Sequence, residues 1–239
     1  EFRFTPDSEW DLTLPGLLYD KIKSEFPNKQ QVLISVPLAV AGVTQTPDVA
    51  QQPPVFIEQR EQRIVFLSND KKMRIQVGPH LLVVNCLAPY PTWDQFYPKV
   101  KHVFDTLKNS VNIKGLQRIG LRYTNKIELP GSSVQWGDYF EFRLVLGDRL
   151  PQSMTTHLAV SEFSFSGGRD YCRVQMGDTV ADQPGSKACV LDFDYFLAKP
   201  GAVAVCNTME WVENAHQQVE NIFEGCITEA SRKLFQEVK

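Results

Sequence analysis

The sequence lacks a hydrophobic run long enough to cross a membrane. Its longest apolar stretch, residues 32–43, has twelve residues and contains Ser35 and Pro37, whereas a membrane-spanning helix needs about 20 apolar residues. A basic excess is also lacking, because 25 Lys and Arg residues face 28 Asp and Glu residues and the formal net charge is -3. Proteins that wrap duplex nucleic acid usually carry a basic excess or a basic tail. We therefore expect neither a membrane protein nor a duplex-binding protein.

The motifs of common cofactor and catalytic sites are missing as well. The chain has no GxGxxG segment after a strand, no GxxxxGK[ST] phosphate loop and no GxSxG turn, and its four histidines show no HExxH spacing. Its five cysteines are scattered and contain no CxxC pair, which favours buried reduced thiols over a disulfide framework or a zinc site. These absences predict a cytoplasmic protein without a cofactor, and they favour a non-enzymatic function.

What the sequence contains is the composition of a globular protein, with 43% hydrophobic and 22% charged residues among 239. Three segments place apolar residues at the helical period. The first follows Pro15 and ends at Pro27, the second follows Thr92, and the third follows Thr208. Thr228 offers a cap for one further helical turn at the end of the chain. The sequence therefore predicts three helical segments, the last of them the longest.

Between these segments apolar and polar residues alternate, which predicts strands. The predicted strands are 31–38, 63–68, 73–77, 81–87, 116–129, 140–146, 157–165, 171–176 and 188–197. In residues 81–87 both the odd and the even positions are apolar, which indicates a strand covered on both faces. Gly167 and Gly168 predict a hairpin turn. The Pro- and Gln-rich run 44–59 predicts a loop.

The pattern repeats along the chain. A shift of 119 residues carries the apolar positions 93, 96, 100, 103, 104 and 107 onto 212, 215, 219, 222, 223 and 226. A shift of 99 residues carries Arg74-x-Gln76 onto Arg173-x-Gln175. We therefore predict a single domain, 1–239, made of two pseudo-repeats at about 1–113 and 114–239. The predicted fold is α+β, with duplicated β-α-β(n)-α halves that form a curved antiparallel sheet with helices on one face.

This element order, given twice, resembles the duplicated saddle of the TATA-binding-protein-like fold. The resemblance concerns element order alone and brings no DNA-binding function with it. The segment 118–123, Arg-Ile-Gly-Leu-Arg-Tyr, together with 89–93 and 191–195, resembles a sporadically distributed family of uncharacterised prokaryotic proteins of about this length. That second resemblance covers nearly the whole chain. It implies an accessory or defence gene rather than a gene of central metabolism.

Five basic residues fall on the strand positions that face away from the predicted helices. They are Arg74, Arg118, Arg122, Lys126 and Arg173. Arginine is favoured at protein interfaces because its planar fork of donors pairs well with carboxylates. The sequence therefore predicts a binding or adaptor protein of an accessory or defence system, whose partner is another protein or a second copy of the chain.

Two acidic residues, Asp192 and Asp194, point to the same side of one strand, about 7 Å apart. They suit cross-strand pairing with Arg118 or Arg122, and they also suit a divalent cation bound through oxygen ligands. The cation supports an alternative function, a metal-dependent phosphohydrolase whose charged barrel interior resembles that of the triphosphate-tunnel enzymes. Those enzymes open with alternating Glu-x-Glu-x-Lys, whereas this chain opens with Glu-Phe-Arg-Phe.

Single-stranded nucleic acid needs aromatic side chains on the basic face, because its bases stack on aromatic rings. In the segments 2–4 and 122–123 aromatic and basic residues are adjacent in sequence and so point to opposite faces. The sequence therefore does not favour a single-strand binding platform.

Overall fold

The computed structural model describes residues 1–39, 56–131, 133–151 and 156–235. The chain divides into two units, Glu1–Lys114 and Gly115–Lys239, a boundary one residue away from the one predicted between the pseudo-repeats. Each unit combines an antiparallel sheet with α-helices, so the predicted α+β class is confirmed. In the described part of the chain, no helix is both long enough and apolar enough to span a membrane.

The first unit contains five strands and two helices in its described part. In chain order they are β1 (Phe2–Phe4), α1 (Leu14–Ile22), β2 (Asn28–Ala39), β3 (Phe56–Leu67), β4 (Met73–Gly78), β5 (Leu81–Cys86) and α2 (Trp93–Lys108). The strands lie in the order β2-β3-β4-β5-β1. Because β3 begins at Phe56, the loop predicted at 44–59 is wrong for residues 56–59, and residues 44–55 lie outside the described residues.

Both helices of the first unit pack on the same face of its sheet. Phe2 of β1 lies 4.8 Å from Phe104 of α2, and Phe66 of β3 lies 5.2 Å from Tyr19 of α1, measured between ring centroids. The register of the ladders places Phe2 and Phe66 on one side of the sheet. Burial of these aromatic rings therefore holds α1 and α2 against that side.

Strand β5 is buried on both of its faces, as its continuous apolar sequence predicts. Leu81 and Leu82 point to opposite faces, and both are 0% exposed. On the face that carries Leu81, Arg63 of β3 is also buried, and its guanidinium donates to Glu61 at 2.7 Å and to Gln76 at 3.3 Å. This hydrogen bonding satisfies a charged group that would be costly to bury alone.

The second unit contains four strands and three α-helices in its described part. They are β6 (Leu116–Leu129), α3 (Trp136–Tyr139), β7 (Leu158–Phe165), β8 (Asp170–Thr179), β9 (Lys187–Leu197), α4 (Thr208–Cys226) and α5 (Glu229–Leu234). The strand order is β6-β9-β8-β7. Since β6 and β7 lie at opposite ends of this order, the four strands form an open sheet. The hairpin turn predicted at Gly167 and Gly168 connects β7 to β8 and is confirmed.

The strand predicted at 140–146 is wrong. Phe140 forms only an isolated bridge with Ile227, and the N–H of Glu141 donates to the carbonyl of Cys226 at 2.9 Å. Phe140 is 0% exposed, so this segment packs against the connection between α4 and α5. Its apolar residue is buried by a helix end, and a periodicity of two does not distinguish that contact from a sheet.

The two units share one topology. In each, the first strand of the unit pairs with the last strand of a meander, β1 with β5 and β6 with β9. A long helix then follows the meander, α2 in the first unit and α4 in the second. Among the described residues, the first unit has one additional strand, β2, and the second unit has one additional short helix, α5, at its end. This shared order matches the predicted pseudo-repeat, and origin by duplication stays a prediction.

Helix α4 is fixed to its sheet by aromatic packing and one buried hydrogen bond. Phe223 lies 5.9 Å from Phe193 between ring centroids. The indole N–H of Trp211 donates to Asp170, which is 1% exposed, at 2.9 Å. The other oxygen of Asp170 accepts from Arg169 at 2.6 Å. The buried carboxylate is thus satisfied on both oxygens, and it links β8 to the helix.

We predict that Phe104→Ala lowers the free energy of unfolding by about 3–5 kcal/mol, because the deleted ring leaves a cavity at a position only 1% exposed. Phe223→Ala should cost less, about 1–3 kcal/mol, because Phe223 is half-buried and borders a cavity of about 160 Å³. Urea denaturation of the two variants and the wild type measures both values. An unchanged midpoint for Phe104→Ala would contradict the packing of α2.

We also predict that only two of the five thiols react in the native protein. All five cysteines are free, and Cys206 is exposed and Cys86 half-buried. Burial raises the pKa of Cys172 and Cys189 to about 12 and that of Cys226 to about 11, and the thiolate is the reactive form. Titration with an aromatic disulfide reagent should therefore show two thiols before denaturation and five after it. Rapid native reaction of a third thiol would contradict this burial.

Candidate functional site

One side of the sheet in the second unit carries many of its charged strand residues. Tyr123, Phe193 and Tyr195 contact α4, so the alternate residues of β6 and β9 point to the opposite side. We call this side the arginine face. Its side chains are Arg118, Arg122, Thr124 and Lys126 of β6, Asp192, Asp194 and Phe196 of β9, Tyr171, Arg173 and Gln175 of β8, and Leu158, Val160 and Glu162 of β7.

Four of the five basic residues predicted to share a face lie together on the arginine face. They are Arg118, Arg122, Lys126 and Arg173. The fifth, Arg74, belongs to β4 of the first unit, where Asn85 is its neighbour in the ladder. Its Nε is buried without a hydrogen-bond partner in the described part of the chain. Strand parity gives the side of a residue but not the unit to which its strand belongs.

A row of alternating charge crosses the arginine face. The register places Glu162 of β7 beside Arg173 of β8, Arg173 beside Asp194 of β9, and Asp194 beside Arg122 of β6. Directly opposite residues have Cβ atoms about 4.5–5.5 Å apart, so opposite charges in a row attract. The row therefore favours the observed register of all four strands.

Arg122 and Asp192 form a bidentate ion pair. Nε of Arg122 donates to Oδ1 and Nη2 donates to Oδ2, each at 2.9 Å. The hydroxyl of Thr124 donates to the same carboxylate at 2.7 Å. The side chain of Asp192 is 9% exposed, whereas that of Arg122 is 64% exposed. A nearly buried acid therefore orients the guanidinium of an exposed arginine.

Arg118 reaches Asp194 by passing over a glycine. Its Nη2 lies 2.9 Å from both carboxylate oxygens of Asp194. A Cβ built at Gly120 would lie 3.2 Å from that Nη2, and the guanidinium also lies 4.5 Å from the ring centroid of Phe196. The missing side chain of Gly120 thus leaves the space that lets Arg118 contact both an acid and an aromatic ring.

The arginine face also carries an aromatic pair that the sequence analysis missed. The rings of Tyr171 and Phe196 are stacked, with centroids 6.2 Å apart and planes inclined at 21°. The sequence analysis compared aromatic and basic residues only in the segments 2–4 and 122–123, and it did not consider β8 and β9. The signal was present in the sequence, because alternation places Tyr171 on the side of Arg173 and Phe196 on the side of Asp194.

The two carboxylates predicted as cation ligands, Asp192 and Asp194, form ion pairs with guanidinium groups. Asp192 accepts from Arg122 and Asp194 accepts from Arg118, on both oxygens of each. A divalent cation bound there would face these two positive charges at close range. Among the residues that the structure describes, no group of three or more His, Cys, Asp or Glu side chains is placed to hold a metal ion.

Comparison with known proteins does not assign a function to the arginine face. Comparison of the chain with protein-family models, with curated proteins and with solved structures finds no match. Function is therefore inferred from the residues of the arginine face.

We predict that Arg122→Ala lowers the free energy of unfolding by about 1–2 kcal/mol, because it removes two charge-assisted hydrogen bonds from a nearly buried carboxylate. The exposure of Arg122 keeps this cost below that of a fully buried pair. The double variant Arg122→Ala/Asp192→Asn should recover part of the loss, since the amide no longer carries the charge. Urea denaturation measures all three proteins.

The matched control for that experiment is Arg173→Ala. The Nε of Arg173 lies 3.9 Å from Glu162, and both side chains are about half-exposed, so the cost should stay below about 0.5 kcal/mol. Equal costs for Arg122→Ala and Arg173→Ala would show that Asp192 does not depend on Arg122.

Proposed function

We propose that the protein is a non-enzymatic binding or adaptor protein whose arginine face docks a protein partner. The observation that carries this proposal is the combination of exposed Arg122 and Arg173 with the stacked pair Tyr171 and Phe196 on one open sheet face. Arginine and aromatic residues are enriched in the parts of protein interfaces that contribute most binding energy.

The orientation of the arginine side chains supports docking. Arg122 is held by Asp192 and Arg118 by Asp194, so less side-chain freedom remains to be lost when a partner binds. Leu158 and Val160 of β7, 58% and 47% exposed, add apolar surface to the same face. A guanidinium favours carboxylates, which it binds through two parallel hydrogen bonds. The partner therefore presents acidic groups beside an apolar surface.

The charge balance favours a protein over a nucleic acid. The basic residues of the arginine face stand beside Asp192, Asp194 and Glu162, so the face is nearly neutral. A site for single-stranded nucleic acid combines stacking with an excess of positive charge. Only the stacking requirement is met here, by Tyr171 and Phe196.

A second copy of the chain fits this face. A two-fold rotation reverses the direction of the alternating row, so Glu162 of one copy would lie opposite Arg122 of the other, and Arg173 opposite Asp194. The row is therefore complementary to itself.

We further propose that the protein is cytoplasmic, and the five free thiols support this location. Membership of an accessory or defence system stays a prediction.

We predict that Arg173→Ala weakens partner binding at least about tenfold, since it removes an exposed interfacial arginine, while the melting temperature stays near that of the wild type. Sedimentation velocity of the purified chain at low salt tests self-association directly. The control is Lys187→Ala, which removes the same charge from a strand position of opposite parity on β9. A dimer lost in Arg173→Ala and retained in Lys187→Ala supports the proposal.

A monomeric wild type would exclude the second copy, and capture on the immobilised chain would then decide between the remaining outcomes. A protein retained by the wild type and by Lys187→Ala, and lost from Arg173→Ala, supports docking at the arginine face. Equal capture by all three proteins overturns it. Capture that nuclease treatment abolishes also overturns it, in favour of a nucleic acid.

A further inference from the structure

A groove of about 800 Å³ lies in the first unit, and none of its lining residues belongs to the arginine face. Its walls come from α1, from the segment that precedes this helix, and from β3. The volume is within the range of about 300–1,000 Å³ that is usual for small-molecule sites.

The floor and sides of the groove are apolar and aromatic. Phe66 and Val77 are each 1% exposed at its floor, and Ile64 beside them is half-buried. Trp10 and Tyr19 line its sides, and the ring of Tyr19 packs on Phe66. A ligand with an apolar body would bury its surface against these side chains.

The charged residues around the groove are mostly basic. Arg3, Lys29 and Arg60 line it, and Glu61 is the acid among its lining residues. Arg3 is paired with Glu1 at 2.8 Å, so Lys29 and Arg60 carry the positive charge of the groove. The carboxylate of Glu61 is bound to Arg63 at 2.7 Å, so its charge is already neutralised. The potential in the groove therefore favours an anion over a cation.

The basic residues mark two ends of an elongated site. Lys29 lies beside Phe66 in the ladder, and its Nζ lies 4.5 Å from the ring centroid of Tyr19. Arg60 lies six residues before Phe66 on β3 with the same parity, and at about 3.3 Å per residue it is about 20 Å away along the strand. The apolar floor lies between these two cations.

We infer that this groove binds one elongated, amphipathic anion. The apolar body of the ligand lies along Ile64 and Phe66, between Trp10 and Tyr19. Its carboxylate, sulfonate or phosphate group pairs with a basic residue at one end, Lys29 or Arg60. This inference is independent of docking at the arginine face, because it concerns other residues and a small molecule.

The test uses a fluorescent anion and its neutral analogue. The probes are 1-anilinonaphthalene-8-sulfonate and N-phenyl-1-naphthylamine, which has the same ring system without the sulfonate. We expect the native protein to bind the sulfonate at one saturable site. Lys29→Gln/Arg60→Gln should weaken that binding about tenfold, the loss of one charge-assisted contact, and should leave binding of the neutral probe within about twofold.

Two further variants separate the groove from nonspecific binding. Lys72→Gln removes a charge in the β3–β4 turn, outside the groove lining, and should leave both probes unaffected. Gly16→Phe should weaken both probes, because Gly16 lines the groove and a Cβ there meets no atom within 4 Å, so the ring has space to enter. Melting temperatures confirm that each variant is folded.

Competition distinguishes an acyl ligand from an aromatic one. Displacement of the sulfonate by dodecanoate supports an acyl carboxylate, and displacement by naphthalene-1-sulfonate alone supports an aromatic anion. Three results overturn the inference: several independent probe sites, equal sulfonate affinity in the wild type and Lys29→Gln/Arg60→Gln, or equal loss of the neutral probe in that double variant.

Discussion

Asp192 and Asp194 lie on β9, the strand that pairs with β6 on one side and with β8 on the other. A carboxylate that is nearly buried in a sheet is costly unless it is paired. The pairing comes from Arg122 and Arg118, both on β6. The residues of β9 that point to the opposite side of the sheet are apolar, and one of them, Phe193, packs against α4. One strand thus joins the core of the second unit to its polar face.

This pairing has consequences for binding. The carboxylates neutralise both arginines, and the side chain of Arg122 stays 64% exposed, whereas that of Arg118 is 27% exposed. Gly120 is part of the same arrangement, because a larger residue would meet the guanidinium of Arg118. A face built in this way is nearly neutral, which fits the proposed docking of a protein more than the attraction of a polyanion.

The two units use one topology for different surfaces. In the first unit β2 extends the meander by one strand, and the apolar side chains Ile64 and Phe66 of its neighbour β3 line a groove beside α1. In the second unit the meander has three strands, and the polar side of its sheet carries the charged row. The two units therefore present surfaces of different chemistry, an apolar groove in the first and a charged row in the second.

The sequence by itself determined the elements with a strong local period. The stripe after Thr92 became α2, the strand predicted at 116–129 became β6 with the same bounds, and Thr228 caps α5 by accepting from the N–H of Ser231. Parity also placed Arg122 and Asp192 on one side of their strands, because successive residues of any strand alternate.

Only the tertiary structure decided which of those residues meet. Phe140 is buried by a helix end rather than a sheet, Arg74 belongs to the other unit, and Arg118 passes over Gly120 to reach Asp194. Each of these three outcomes depends on how segments that lie far apart in the chain pack or pair with one another. A local period records which side of a segment is buried, but it contains no information about the element that covers that side.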